Sequence, residues 1–310
     1  MTDAPARPAH IFAGNPLDRA SDRRSDPEVM ARFLAHPDAL VLPLWNGRVL
    51  AEAAPKGKRL AYVSGALGAE LAAGDERLLF LGLWRETPVF ALDFETSADP
   101  TAGPLEGYGA FEDMRALAAV LPESEAAIAG TAKGVFEWRR RHRFCSACGQ
   151  PSQVADGGWK RVCAACKVEH FPRTDPVVIM LPVTGEKCLV GRQAVWPAGM
   201  WSALAGFLEP GETIEEACAR ELAEEAGLKT LSVAYHSTQP WPFPNSLMIG
   251  LIATIEDAEA HPDQTELEAV RWLTREEARA LIEGRLEGNF CPPPLAIAHH
   301  LLRDWAYGAA

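Results

Sequence analysis

Three glutamates spaced i, i+3 and i+4, Glu221, Glu224 and Glu225, lie within the run GFLEPGETIEEACARELAEEAGL (206–228). On a helical wheel of about 100° per residue, Ala217, Cys218 and Leu222 form an apolar stripe around Ile214. Glu221 then falls at roughly 340° and Glu225 at roughly 20°, inside that stripe, with Glu224 at its edge. Charge runs usually make a solvated face, and Glu212, Glu215 and Glu216 do project outward on this wheel. Two carboxylates on an inward face cannot stay ionised unless they are paired or bound to a metal. Hard oxygens gathered on one side of one helix suit Mg2+ or Mn2+, which keep some waters and accept phosphate oxygens. Gly206 and Gly211 permit a tight loop before the helix.

A second constellation is Cys145-x-x-Cys148 and Cys163-x-x-Cys166, two knuckles separated by fourteen residues. The gap is one residue short of the usual ribbon range. Four thiolates can close a tetrahedron around Zn2+, and four protein ligands make such a site structural rather than catalytic. A disulfide pair or a redox CxxC fits the symmetric spacing poorly. Just before it, EWRRRHRF (137–144) is strongly basic. Either its cations complement a helix C-terminus or they contact phosphate or RNA.

The third unusual stretch is TQPWPFPNS (238–246), with three prolines and two aromatic residues. Proline fixes φ and lacks an N–H, so the segment is expected to be neither helix nor central strand but a stiff, extended loop.

The elements that must position these groups follow from pattern. The chain has 310 residues, 48% of them apolar, and a formal net charge of −12. That length points to two domains with a small module between them. The acidic balance disfavours nucleic acid and anionic membranes over most of the surface. No apolar run reaches about 18 residues, so no transmembrane helix is expected. The N-terminus has no apolar signal core, and the C-terminus no peroxisomal tripeptide, so the expected location is cytoplasmic. Cys188, Cys218 and Cys291 are read as small core residues.

Residues 1–36 read as a loosely ordered N-terminal segment. Residues 37–141 read as an α+β domain, with strands flanking a two-residue turn at Asn46-Gly47 and helices at 113–121 and 124–141. Residues 142–172 form the zinc module. Residues 173–310 read as α/β, with strands at PVVIMLPV, KCLVGRQ and SLMIGLIATI, and helices at 213–226, 274–283 and 295–305.

The spacing Gly206-x5-Glu212-x7-Arg220-Glu221-Leu222-Ala223-Glu224-Glu225-Ala226-Gly227-Leu228 resembles a complete Nudix box. With TQPWPFPNSLM downstream and the four-cysteine ribbon upstream, the chain resembles the NADH pyrophosphatase (NudC-type) subfamily, whose loop carries Ser where Thr238 stands here. The resemblance covers roughly residues 110–305. It implies a C-terminal Nudix α/β/α sandwich. It implies Glu221, Glu224 and Glu225 as Mg2+ or Mn2+ ligands, with Glu224 or Glu225 assisting the attacking water. The Ala205 carbonyl and a distal Glu266, with Glu268 as its rival, complete that ligand set. Arg220 would hold the carboxylate array through Glu212, with Gly206 and Gly227 structural.

The resemblance further implies substrate contacts from Phe171, Ile179, Phe207, Gln239, Trp241, Phe243, Ser246, Met248 and Ala298, and from Arg115 where the alignment is loose. Phe171 stands in place of the usual Tyr, which removes one phenol. The chemistry of the loop is compatible: Gln239 and Ser246 offer hydrogen bonds of either polarity, and Trp241 and Phe243 offer flat faces to a base or nicotinamide. The implied activity is metal-dependent hydrolysis of NADH or NAD+ to NMN(H) and AMP. The same chemistry would remove a 5′ NAD cap from RNA, and the implied assembly is a homodimer. The alternatives are a Nudix pyrophosphatase of other specificity, for example on ADP-ribose, and a zinc-ribbon RNA-binding protein with an inactive box.

Overall fold

The computed structural model describes residues 10–72 and 75–308. They form two compact units. The first comprises residues 11–174 with a short return at 241–245. The second comprises His10, 175–240 and 246–308.

In the first unit, strands β1 (Leu40–Trp45), β2 (Arg48–Ala54), β3 (Gly57–Leu60), β4 (Val63–Ser64), β5 (Leu78–Trp84), β6 (Thr87–Phe94) and β7 (Ala110–Glu112) make one seven-stranded sheet. Leu44 pairs with Val49 and Trp45 with Arg48, so Asn46-Gly47 closes the β1–β2 hairpin. Both turn residues have positive φ, 50° and 76°, the geometry that selects Asn-Gly. Helices α1 (Pro27–Leu34), α2 (Gly65–Ala72), α3 (Met114–Ala118) and α4 (Glu123–Arg141) complete this part. The ribbon strands β8 (Ser152–Ala155), β9 (Lys160–Cys163) and β10 (Glu169–His170) form a separate three-stranded sheet in the same unit.

The stretch expected to be loosely ordered contains α1. Asp26 caps it, accepting from the N–H groups of Glu28 and Val29, and Pro27 stands at its first turn, where a missing N–H costs nothing. Phe12, Leu17 and Ala20 are buried ahead of it. In the described part of this stretch, Asp26 and Pro27 mark a helix start. Residues 1–9 of that stretch lie outside the described residues.

The second unit is a mixed sheet between helices. Its strands are β11 (Asp175–Thr184), β12 (Lys187–Arg192), β13 (Leu204–Phe207), β14 (Thr230–Trp241), β15 (Ser246–Ile255) and β16 (Ala269–Thr274), in order β14-β15-β11-β12-β16, with β13 paired to β11. Alternate residues of β11 serve opposite faces. Val178 and Met180 pack with Ala217, Cys218, Leu222 and Ala226 of helix α5 (Ile214–Ala226). Ile179 and Leu181 pack with Ala278 and Leu281 of α6 (Arg275–Ile282) and Leu301 of α7 (Ile297–Tyr307). This is the α/β/α sandwich the sequence implies. Cys188 and Cys218 are fully buried in its two cores, and Cys291 packs on the second.

One segment differs from its sequence reading. Residues 238–241, expected in a loop, continue β14 to Trp241, and a turn follows only at 242–245. Pro240 is tolerated because β14 is the sheet edge, where an absent N–H breaks no ladder.

Candidate functional site

Helix α5 starts at a capping box. The Thr213 hydroxyl accepts from Glu216 N–H (3.2 Å) and the Glu216 carboxylate accepts from Thr213 N–H (2.8 Å). It ends at Gly227, in the left-handed region at φ 66°. Burial of Ala217, Cys218 and Leu222 on the sheet rotates Glu221 and Glu225 inward with them. They are only 8% and 3% exposed, whereas Glu224 is exposed.

The Arg220 guanidinium organises the outer side of the cluster. It donates to both oxygens of Glu212 (2.6 and 2.9 Å), to Glu221 (2.8 Å), to Glu224 (3.1 Å) and to the Phe207 carbonyl (2.9 Å). Glu212 therefore does not project freely as the wheel suggests. Hydrogen bonds from Arg220, and then from the Glu209 N–H, hold its carboxyl down to about 2. The Glu221 carboxylate rests on Gly206: a Cβ at that position would lie 1.9 Å from Glu221 Cδ. Only a glycine allows this approach.

Glu225 has no such support. Its Oε2 is buried with no hydrogen-bond partner. Burial, followed by the charges of Glu221, Glu266, Asp263 and Glu224, pushes its carboxyl up to about 8. A buried oxygen without a donor, among four other carboxylates, is the environment a cation would complete. Glu266 belongs to that group, while its rival Glu268 is engaged by Arg192 at 2.8 Å. Asp263 is the residue the sequence reading missed. Its carboxylate accepts from the N–H groups of Glu266 (3.0 Å) and Leu267 (2.9 Å), and its own N–H donates to the Glu225 carbonyl (3.1 Å). It thus ties the loop carrying Glu266 to the end of α5. An Asp three residues before a Glu in a polar loop is a turn signal, but nothing local links it to the helix.

The glutamate oxygens are not drawn fully together. Among the described residues, the one set of three or more potential ligands whose atoms all lie within 4.8 Å is the cysteine set. Glu221 and Glu224 both lean on Arg220 instead.

Of the residues implied to contact substrate, Ile179, Met248 and Ala298 meet in the core beneath α7. Ala205 lies opposite Ile179 in the β13–β11 ladder, Ser246 opens β15 opposite Asp175, and Phe207 is exposed. Gln239, implied as a substrate contact, has its amide engaged within the protein. It is completely buried, donating to the Leu295 carbonyl (2.8 Å) and accepting from the Ile297 N–H (2.8 Å). Its amide satisfies backbone groups at the start of α7, where the N-cap residue Ala296 has no side chain able to do so. Trp241, Phe243, Arg115 and Phe171 belong to the first unit. There Trp241 meets Phe12 and Phe243 edge-on, with centroids 6.1 and 5.2 Å apart. Arg115 lies 4.6 Å and Lys133 5.1 Å from the Phe243 ring centre. Phe171 is exposed.

The ribbon presents four thiols to one point. Cys145 Sγ lies 3.6 Å from Cys166 Sγ, and Cys148 Sγ 3.5 Å from Cys163 Sγ. Tetrahedral bonds of about 2.3 Å to zinc require sulfurs about 3.8 Å apart, so the set fits the ion. Each knuckle turns through a left-handed residue, Gly149 at φ 73° and Lys167 at φ 64°. Cys163→Ser should lower the melting temperature by roughly 5–10 °C, because structural zinc contributes folding free energy directly. Elemental analysis of protein purified without chelator should find one zinc per chain. A zinc-free, fully folded protein would overturn the assignment.

The basic run upstream is largely paired within its own unit. Arg140 meets Asp93 (3.0 Å) and Glu137 (3.1 Å), Arg141 meets Glu137 (2.7 Å), and Arg143 meets Glu95 (2.8 Å). No helix among the described residues is long and apolar enough to cross a membrane.

Three family models match the chain: a NUDIX domain over 173–289, an NADH pyrophosphatase-like rudimentary NUDIX domain over 38–138, and an NADH pyrophosphatase zinc ribbon domain over 140–171. The chain is similar to Nudix hydrolase 19, chloroplastic, of Arabidopsis thaliana, at 31% identity over 96% of this chain and 86% of that protein. It is 44% identical to the NAD-capped RNA hydrolase NUDT12 of Homo sapiens over 60% of this chain and 42% of that one. It is 40% identical to the NAD(P)H pyrophosphatase NUDT13, mitochondrial, of Mus musculus over 64% of this chain and 59% of that one. The chain thus spans about two fifths of the length of the NUDT12 proteins it matches.

Proposed function

The chain belongs to the Nudix hydrolase family, and on that premise we propose that it hydrolyses the diphosphate of NADH or NAD+ to give NMN(H) and AMP. The observation that carries this reading is buried, donorless Glu225 Oε2 on the Nudix helix, beside Glu221 and Glu266. Glu221, Glu225, Glu266 and the Ala205 carbonyl would hold Mg2+ or Mn2+, with Glu224 joining them by releasing Arg220. Bound divalent cations neutralise a diphosphate and lower the pKa of an attacking water. Glu225 would hold that water's proton, Arg220 would keep Glu221 oriented, and Asp263 would position Glu266. Ile179, Met248 and Ala298 would form the apolar floor for a nucleotide, with Gln239 fixing the start of α7 that carries Ala298. Phe207 and Ser246 would border it, and Phe171 enters only as a contact implied by the subfamily resemblance.

The same cleavage on RNA with a 5′ NAD would leave a 5′-monophosphate. Relatives named as NAD-capped RNA hydrolases support that extension, and those named as NAD(P)H pyrophosphatases support the free dinucleotide. We further propose a homodimer, a reading supported by the subfamily resemblance.

Trp241 and Phe243 are proposed to recognise the dinucleotide, with Arg115 beside them. Trp241→Ala should then lower kcat/KM for NADH by roughly 5- to 150-fold, the effect of losing one aromatic stacking partner. ADP-ribose, which lacks nicotinamide, should suffer less. Side-by-side hydrolysis of NADH and ADP-ribose with a thermal melt checks this. Equal losses on both substrates together with a lower melting temperature would make the turn a structural brace and remove the recognition role.

A further inference from the structure

The first unit contains a cavity of about 480 Å³ lined by α4, β6 and the ribbon, within residues 11–174 and so formed entirely by that unit. Two of its lining side chains, Arg139 and Arg161, are each only 5% exposed. Arg139 donates to the Leu78 carbonyl (2.9 Å), and Arg161 to the hydroxyl (2.8 Å) and the carbonyl of Ser152. Those are neutral acceptors. Among the described residues neither guanidinium has a carboxylate within ion-pair distance. Of the carboxylates that line the cavity, Asp93 pairs with Arg140 at 3.0 Å and Glu95 with Arg143 at 2.8 Å, while Glu76 acts on both buried guanidinium groups through its charge without reaching ion-pair distance of either. Burial lowers the Arg139 pKa to about 10, and the like charge of Arg161 adds to the shift.

Two neighbouring buried cations with no carboxylate in direct contact are costly, because each loses hydration and repels the other, and Glu76 offsets this only in part. An anionic ligand would supply the missing negative charge, and guanidinium pairs match phosphate oxygens bidentately. At the same cavity Phe144 is 64% exposed, and among the described residues its ring meets no other aromatic ring. A phosphate beside an open aromatic ring is the chemistry that recognises a nucleotide.

We propose that this cavity binds a nucleotide, with its phosphate between Arg139 and Arg161 and its base against Phe144. The site shares no residue with the carboxylate cluster of α5, and its test does not depend on hydrolysis. Binding is measured by calorimetry on the full-length zinc-loaded protein, without added Mg2+ or Mn2+, using inorganic phosphate, AMP and a short 5′-phosphorylated oligoribonucleotide. AMP or the oligonucleotide should bind, with inorganic phosphate weaker. A preference between the first two identifies the source as free nucleotide or RNA. Arg139→Gln should weaken the binding at least tenfold. Phe144→Ala, an exposed change that the fold tolerates, should weaken AMP by roughly 5-fold or more and leave inorganic phosphate unchanged. Absence of nucleotide binding, or binding that neither variant alters while both keep the wild-type melting temperature, would overturn the proposal. Should Arg139→Gln fail to fold, Phe144→Ala alone decides it by the same comparison.

Discussion

Glu225→Gln should lower kcat by roughly 10²–10⁴-fold, the range for removing a positioned general base. The side-chain volume barely changes, so the α5 packing stays intact. Stability should move the other way in cation-free protein. The Glu225 carboxyl is pushed from an ordinary value near 4.5 up to about 8, by burial first and then by the neighbouring carboxylates. Between those two pH values the folded state binds the extra proton, so wild-type stability falls as pH rises through the window. Above pH 8 the full cost of the buried charge is present; below 4.5 it is absent. A neutral Gln avoids that cost. The cation-free variant should therefore melt above wild type at pH 8, with the difference vanishing as pH approaches 4.5. Divalent cation should raise the wild-type melting temperature and raise that of the variant much less. Retained activity, or a variant that melts below wild type at pH 8, would remove Glu225 from the assigned role.

Gly206→Ala is the second large effect. The added methyl would sit 1.9 Å from Glu221 Cδ and about as close to both of its oxygens, at 2.0 and 2.2 Å. Gly206 is fixed opposite Val178 in the β13–β11 ladder, so its backbone cannot easily retreat. Glu221 must swing out, and its hydrogen bond to Arg220 at 2.8 Å is lost with it. Displacing a reacting constellation by about 1 Å can cost on the order of 100-fold in rate. The melting temperature should fall modestly, since a buried charge loses its partner. Kinetics and a thermal melt on the same preparation check this. Near-wild-type kcat would show that Glu221 does not need its observed position.

Much of this site is legible in sequence because it is local. The three glutamates, Arg220 and the Thr213 and Gly227 ends lie on one helix, and the period of 3.6 residues fixes which of them face inward. The four cysteines are legible because their spacing is their chemistry. Long-range features are not. The Gly206–Glu221 contact follows from strand β13 meeting α5, and Asp263 joins Glu225 only through tertiary placement. Gln239 reads as a ligand-facing polar tip, yet its two amide ends satisfy backbone groups 56 and 58 residues away. The proline-rich segment suggests a loop where an edge strand forms, since edge pairing tolerates what a central strand does not. The arginines of the first unit show the same limit: the basic run alone leaves open a helix terminus or a phosphate contact, whereas the fold pairs most of it with carboxylates and buries Arg139.

The most direct test of the account is the products. Purified protein with Mn2+ and NADH, resolved by nucleotide chromatography, should yield NMNH and AMP in equal amounts, with no cleavage by Glu225→Gln on the same timescale. Release of nicotinamide with ADP-ribose, turnover of ADP-ribose but not NADH, or no turnover at all would contradict it.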